Sequence, residues 1–306
     1  MRIVESILKC IHNPLEIGRS FMEHTAQFWT NDKMYLRLLL YFKMGYRLNL
    51  DNPQTFNEKL QWLKLYNHDI TYCSLVDKFK VKDYVKSILG EEMIIPTLGV
   101  WETPDDIEWA KLPDKFVLKT TNGGGGSGVI LCRNKSLLDK KEAVDKLNRS
   151  MNSNIYTISR EWPYKGMKSR IIAEALLENE NGGDVRDYKF YCFDGIPKVM
   201  LIASERFKRS HSFFDYYDME GNHLPFTQGG DNNPEMPAVP DNFEELKNIA
   251  QKLSSGFPHV RIDLYSVNGR IYFGEYTFFD SCGFEKFNPF EWDYKMGQYL
   301  KLPNKQ

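Results

Sequence analysis

The sequence predicts an α+β fold, on three observations. Stretches whose apolar residues follow helical spacing alternate along the chain with short β-rich runs. Consecutive β-rich runs are joined by glycine-containing loops, around Gly123 to Gly128 and at Asn268-Gly269, so the strands pair as hairpins. No Gly-, Ser- or Pro-rich linker, internal repeat or low-complexity tract separates these parts, so any lobes are continuous.

The totals bound the function. With 306 residues, 42% hydrophobic and 26% charged, the composition is that of an ordinary globular protein with room for one large domain or two to three lobes. A formal net charge of -1 supplies no global attraction to nucleic acid. The five cysteines are scattered without a C-x-x-C pair or histidines at ligand spacing, which argues against a zinc site or disulfide framework and points to a reducing cytoplasm. No apolar run reaches the roughly 18 residues of a membrane span. In the first residues, Ile3, Val4, Ile7, Leu8 and Ile11 predict a helix packed on the body, with a peripheral membrane-surface helix as the sharper alternative.

Residues 1 to 50 read as helices rich in aromatics (Phe21, Phe28, Trp29, Tyr35, Tyr41, Phe42), most of them expected in the core. Thr55 and Glu58 form a capping box for a structural helix carrying Phe56, Leu60 and Leu63. Residues 74 to 90 predict one helix stopped by Gly90, and MIIPTLGVW reads as a strand.

At 115 to 132, KFVLKTTNGGGGSGVILC, a β run ending in Lys119 is followed by a glycine loop and at once by a second β run. A dinucleotide fold would need a helix after its glycines, and a Walker A loop would need Gly-Lys-Ser/Thr where Val129 stands. The remaining readings are a ligand-free surface hairpin and a flap whose bare N–H groups close over a triphosphate beside Lys119. Four consecutive glycines are entropically costly to order, which favours the flap. A protein kinase is disfavoured, since its H-R-D and D-F-G motifs are absent.

Beyond a charged helix at 136 to 150, the strand RIIAEALLE (170 to 178) embeds Glu174, which either pairs with Arg170 or Lys168 or belongs to a hinge between lobes. DVRDYKFYCFDG (184 to 195) sets Asp187 and Lys189 on one face, and KVMLIASERF (198 to 207) returns carrying Arg206. Residues 208 to 240 read as a long loop near substrate, and 241 to 256 as a helix. No histidine sits in a nucleophile motif, and His259 reads as structural.

The last hairpin, residues 259 to 283, carries Asp263 and Glu275 in mid-strand, each costly there without a compensating cation. A two-residue Asn268-Gly269 turn would point these acids to opposite faces. A three-residue loop, Val267 to Gly269 with a G1 bulge, would put Asp263, Glu275 and Thr277 on one face, a donor set suited to Mg²⁺ and its phosphates. The rival reading pairs Asp263 with Arg261 and Glu275 with a lysine.

Taken in order, TFNEKLQWL (55 to 63), Asp77-Lys78, Phe116 to Lys119, the glycine flap, DYKF (187 to 190), Arg261 to Tyr265 and FGEYTF (273 to 278) resemble the ATP-grasp superfamily. The likeness is to its TupA-like branch, named for teichuronopeptide synthesis and associated with bacterial surface polysaccharides. The resemblance implies two α+β lobes holding ATP between them. It divides the chain into a helical extension (1–70), a small subdomain (71–114), a flap lobe (115–177) and a metal and substrate lobe (178–306). Lys78 and Lys119 would contact the phosphates, with Gly123, Gly124, Gly125, Gly126, Ser127 and Gly128 covering them. Glu174 and the backbone at Leu177 would meet adenine, and Asp187 or Lys189 the ribose or phosphates. Asp263 and Glu275 would hold Mg²⁺, with Thr277 where many relatives have asparagine. Arg206 and Arg261 are candidates for acyl-phosphate oxygens or a substrate carboxylate.

The implied activity is ATP-dependent ligation of a carboxylate to an amine, with an amino acid and a uronic acid as expected partners. Two alternatives stand beside it: a glycosyltransferase using the acids of FFDYYD (213 to 218), and a non-catalytic ATP-binding protein.

Overall fold

The computed structural model describes residues 13–124, 126, 128–180, 182, 185–205 and 212–305. The expected helix over residues 3 to 11, and Gly125, Ser127 and Arg206, lie outside them. Helix α1 (Pro14–His24) is followed by α2 (Asp32–Met44), capped by the Asn31 side chain and ended by left-handed Gly45. Of the aromatics expected in the core there, Tyr35 is buried, whereas Phe21, Phe28 and Tyr41 are exposed. α1 is a surface helix that turns Met22 inward, so Ile17 and Phe21, four residues apart, share its outer side.

α3 (Phe56–Tyr66) begins with the complete Thr55–Glu58 capping box. The helix expected over 74 to 90 is two, α4 (Tyr72–Leu75) and α5 (Val81–Leu89). The Asp77 carboxylate accepts from the backbone N–H groups of Phe79 (2.9 Å) and Lys80 (3.0 Å), which turns the chain between them and frees Lys78 to point away.

The first sheet contains β1 (Thr97–Trp101), β2 (Phe116–Thr120), β3 (Ile130–Cys132) and β4 (Ile171–Ala175), antiparallel in the order β1-β4-β2-β3. α6 (Lys140–Met151) packs Ala143 and Leu147 with Phe116, Leu118, Ile130 and Ile171 in a small core, and α7 (Ile155–Ser159) follows.

The second sheet contains β5 (Asp187–Phe193), β6 (Ile196–Ser204) and β7 (Phe213–Tyr217), then β9 (His259–Val267) and β10 (Arg270–Thr277), in the order β10-β9-β5-β6-β7. Between them lie β8 (Thr227–Gln228) and α8 (Phe243–Ser254). β8 pairs with β11 (Phe287–Asn288), and α9 (Glu291–Tyr299) ends the described elements. β7 and β8 correct the long loop expected over 208 to 240. FFDYY has no polar-apolar alternation, and its partner β6 lies upstream.

The larger core unites this sheet with residues from α2, α3, α4 and α5, including Leu36, Leu40, Phe56, Leu63, Leu75 and Val85. Thus the amino-terminal helices share a core with the carboxyl-terminal sheet, and a cleft of about 1430 Å³ lies between the two sheets.

Candidate active site

The cleft is organised by the register of the β9–β10 hairpin. Its turn is the two-residue Asn268-Gly269, with φ of 52° and 75°, not the expected three-residue loop. That turn alone would oppose Asp263 to Gly274 and send Glu275 to the far face. A bulge between Phe273 and Glu275 shifts the pairing by one residue, so Glu275 opposes Asp263 and Thr277 opposes Arg261. The parity is therefore repaired at Gly274 rather than at the turn. A Cβ there would lie 3.0 Å from the Asp263 carbonyl oxygen and 3.2 Å from the Tyr265 ring.

β5 is buried along its whole length beside β9, and its Lys189 opposes Asp263. Burial requires each of these charges to have an opposite partner, and each has one. Lys189 Nζ contacts Asp263 Oδ2 and lies 2.6 Å from Asp187 Oδ2. Arg261 grips Asp263 with Nε (2.7 Å) and Nη2 (2.8 Å), reaches Thr277 Oγ1 at 3.1 Å, and pairs through Nη1 with Asp280. Asp280 also accepts from the Tyr191 hydroxyl at 3.2 Å. Glu275 contacts Lys78 Nζ at 3.0 Å, with Arg261 Nη2 at 3.5 Å. Burial would raise the Glu275 carboxyl, but Lys78, Lys189 and Arg261 outweigh it and hold it well below the ordinary carboxylate range.

The facing wall brings the upstream residues in. Lys78 Nζ also donates to Gly123 O at 2.7 Å, so one ammonium joins the glycine loop to Glu275. In the loop, Gly126 has φ 78°. A Cβ on Gly128 would fall 2.3 Å from Ser150 Oγ and 2.5 Å from Thr120 Oγ1, which are hydrogen-bonded to each other at 2.7 Å. Glu174 pairs with neither Arg170 nor Lys168. Its oxygens meet Lys119 at 2.6 Å and Lys82 at 2.5 Å. Burial works to raise its carboxyl, and the two ammonium groups together keep it lowered. Ala175, Leu176, Leu177 and Glu178 continue from it along the cleft wall.

The structure thus brings Lys78, Lys119, Glu174, Asp187, Lys189, Arg261, Asp263, Glu275 and Thr277 together with the described glycines of the loop, Gly123, Gly124, Gly126 and Gly128. Sequence reasoning passed over Lys82 and Asp280. Their signals are faint: a second lysine one helical turn after Lys78, and an acid in an aromatic run just past the hairpin. His259 is buried, with Nδ1 2.9 Å from Cys192 O and its ring against Phe193 and Phe56, so it is structural. The acids of FFDYYD serve their own chain. Asp215 accepts from Asn233 N and contacts His223, and Asp218 closes a turn through Glu220 N and Asn222 N.

The carboxylate oxygens gathered here are hard donors of the kind Mg²⁺ takes. Four carboxylates (Asp187, Asp263, Glu275, Asp280) face three cations (Lys78, Lys189, Arg261), and Glu275 opens to the cleft with 35% of its side chain exposed against 2% for Asp263. Among the described residues no group of three His, Cys, Asp or Glu side chains is arranged to hold a metal ion.

The family model for TupA-like ATP-grasp matches residues 58–301. No curated protein sequence gives a significant match. Among solved structures, a D-alanine–D-alanine ligase from Bacillus anthracis complexed with ATP aligns with TM-score 0.39 and 14% identity over 67% of this chain and 53% of its own. A D-alanine–D-alanine ligase from Helicobacter pylori aligns with TM-score 0.44 and 14% identity over 82% and 68%. The D-cycloserine synthetase DcsG aligns with TM-score 0.39 and 16% identity over 75% and 70%. The chain thus spans about half the length of the first of these.

Proposed function

The chain belongs to the TupA-like ATP-grasp family, and from that premise we propose that it is an ATP-dependent carboxylate–amine ligase working in the cytoplasm. The carboxylate belongs to a uronic acid of a bacterial surface polysaccharide and the amine to an amino acid; this choice of substrates is supported by the family resemblance. The observation that carries the reading is the meeting of Lys78 with both the glycine loop and Glu275, directly opposite Asp263.

Lys78 and Lys119 neutralise the phosphates while the loop from Gly123 to Gly128 covers them, and Glu174 with the backbone through Leu177 flanks the base. Asp187 and Lys189 serve the ribose or phosphate side. Glu275, Asp263 and Thr277 would hold Mg²⁺, which when bound would offset the charge that builds on the phosphate oxygens. A substrate carboxylate oxygen forms a bond to the γ-phosphorus, the β,γ-bridging P–O bond breaks, and ADP leaves with that electron pair. The amine then bonds to the acyl carbon, the C–O bond to phosphate breaks, and the proton shed by the amine leaves with phosphate or solvent. Arg261 offers its guanidinium to the acyl-phosphate oxygens, and the walls of the cleft keep water from that intermediate.

The test is to supply Mg·ATP, pooled amino acids and uronic-acid acceptors to the purified protein and read ADP and product mass. The expected result is ADP together with a condensed product, both reduced by at least about tenfold in Glu275→Ala. Intact ATP with consumption of a nucleotide sugar would instead favour glycosyl transfer, and unchanged turnover in the variant would remove Glu275 from the metal site.

A further inference from the structure

Three consecutive residues past the acidic hairpin, Ser281 (φ 47°), Cys282 (φ 56°) and Gly283 (φ 62°), stand in the left-handed region. Two of them carry side chains, for which that region is unfavourable, so the turn needs support from outside itself. Helix α3 supplies it. Lys64 Nζ donates to Cys282 O at 2.6 Å, and Gln61 Nε2 donates to the same oxygen at 3.2 Å and to Gly283 O at 2.7 Å. The other Lys64 donors go to Gln61 Oε1 (3.0 Å) and Ser159 O (2.8 Å). A Cβ on Gly283 would fall 2.4 Å from Gln61 Nε2, so helix and turn are in direct contact.

Lys64 is 2% exposed and does not line the cleft, yet an ammonium is costly to bury. Burial draws it down to about 8 against the pull of Glu161. The turn it supports begins with Asp280. Asp280 holds one edge of the Arg261 guanidinium while Asp263 holds the other. A line of contacts therefore runs from α3 through the turn to the arginine at the centre of the cleft.

We propose that Lys64 is a positioning residue: with Gln61 it holds the left-handed turn that sets Asp280 against Arg261, and thereby fixes the guanidinium in the orientation the reaction uses. The catalytic half of this inference rests on the ligase reading; the hold on the turn does not. Lys64 itself touches no reacting group.

The test compares the full-length protein with Lys64→Met, Lys64→Arg and the double variant Lys64→Met/Cys282→Gly. Amide exchange is read at Cys282 and Phe284, whose N–H groups bond to Phe279 O and Ser281 O. The Kd for Mg·AMP-PNP and, with a substrate pool that supports turnover, kcat and the KM for ATP are measured beside it. In Lys64→Met, exchange at the turn rises and kcat falls, each by about tenfold or more, while KM for ATP and Kd for Mg·AMP-PNP stay within about twofold. Lys64→Arg retains part of the effect. The added glycine recovers kcat, because glycine adopts positive φ without support.

Unchanged exchange in Lys64→Met overturns the proposal, and so does a kcat that glycine at 282 fails to recover. Should Lys64→Met not fold, Gln61→Ala, which removes two donor contacts to the turn, carries the same expectations. A wild-type protein that releases no ADP with any pool counts against the ligase reading alone, and the exchange measurement still decides whether Lys64 holds the turn.

Discussion

Gly274 places Glu275, because the bulge it forms is what brings the two acids of the hairpin onto one face. A methyl at this position meets the Asp263 carbonyl and the Tyr265 ring. Gly274→Ala is expected to destabilise the protein by roughly 1–3 kcal/mol, read from urea midpoints, with a matching loss of metal-dependent nucleotide binding. An unchanged midpoint and unchanged binding would mean that the strands absorb the methyl without moving Glu275. His259 gives a second prediction at this scale. Burial lowers its imidazole to about 4 from an ordinary 6.5, and the Cys192 carbonyl accepts its Nδ1 proton. The unfolded chain thus takes up a proton near 6.5 that the folded chain refuses until about 4. The stability from neutral His259 is intact above that upper value and is lost as the pH falls through the window, by about 3 kcal/mol at most. In His259→Gln the decline in unfolding free energy over this window should be flatter than in wild type; parallel profiles would contradict the assignment.

Among the elements, those with a local chemical reason were legible. The α3 capping box needs only Thr55 and Glu58, and the β2–loop–β3 flap needs only its glycines between β runs. What no local pattern carried was the break between α4 and α5, made by one Asp77 side chain, and the strand β7, which exists because β6 offers it an edge. In the same way the sequence suggested that the hairpin needed a bulge and put it at the turn, since the cost of Gly274 near Asp263 O is a fact of packing rather than of spacing. The flap carries the prediction at this scale. Gly128→Ala forces a methyl onto the Thr120–Ser150 hydrogen bond, so nucleotide affinity should fall by about tenfold in a titration with AMP-PNP. Affinity equal to wild type would mean that the loop does not cover the phosphates.

Across the whole molecule, two cores make two walls, and the candidate site is the charge trapped between them. Residues of the site come from the turn between α4 and α5, β2, β4, β5, β9 and β10, so each looks ordinary alone; Glu174 finds Lys82 only because α5, whose Val81 and Val85 belong to the larger core, extends that lysine to the first sheet. The order of motifs made that assembly readable before its geometry was known, whereas Lys64 meets its turn across more than two hundred residues of chain and Asp280 stands outside those motifs. No described helix is long and apolar enough to cross a membrane. The central claim is that Glu275 and its partners take a divalent cation together with a nucleotide. The measurement that tests it is the Kd for AMP-PNP with and without Mg²⁺, in wild type and in Glu275→Ala. Mg²⁺ should tighten binding to the wild type by at least about tenfold and leave the variant nearly unaffected. Equal tightening in both proteins would contradict the account.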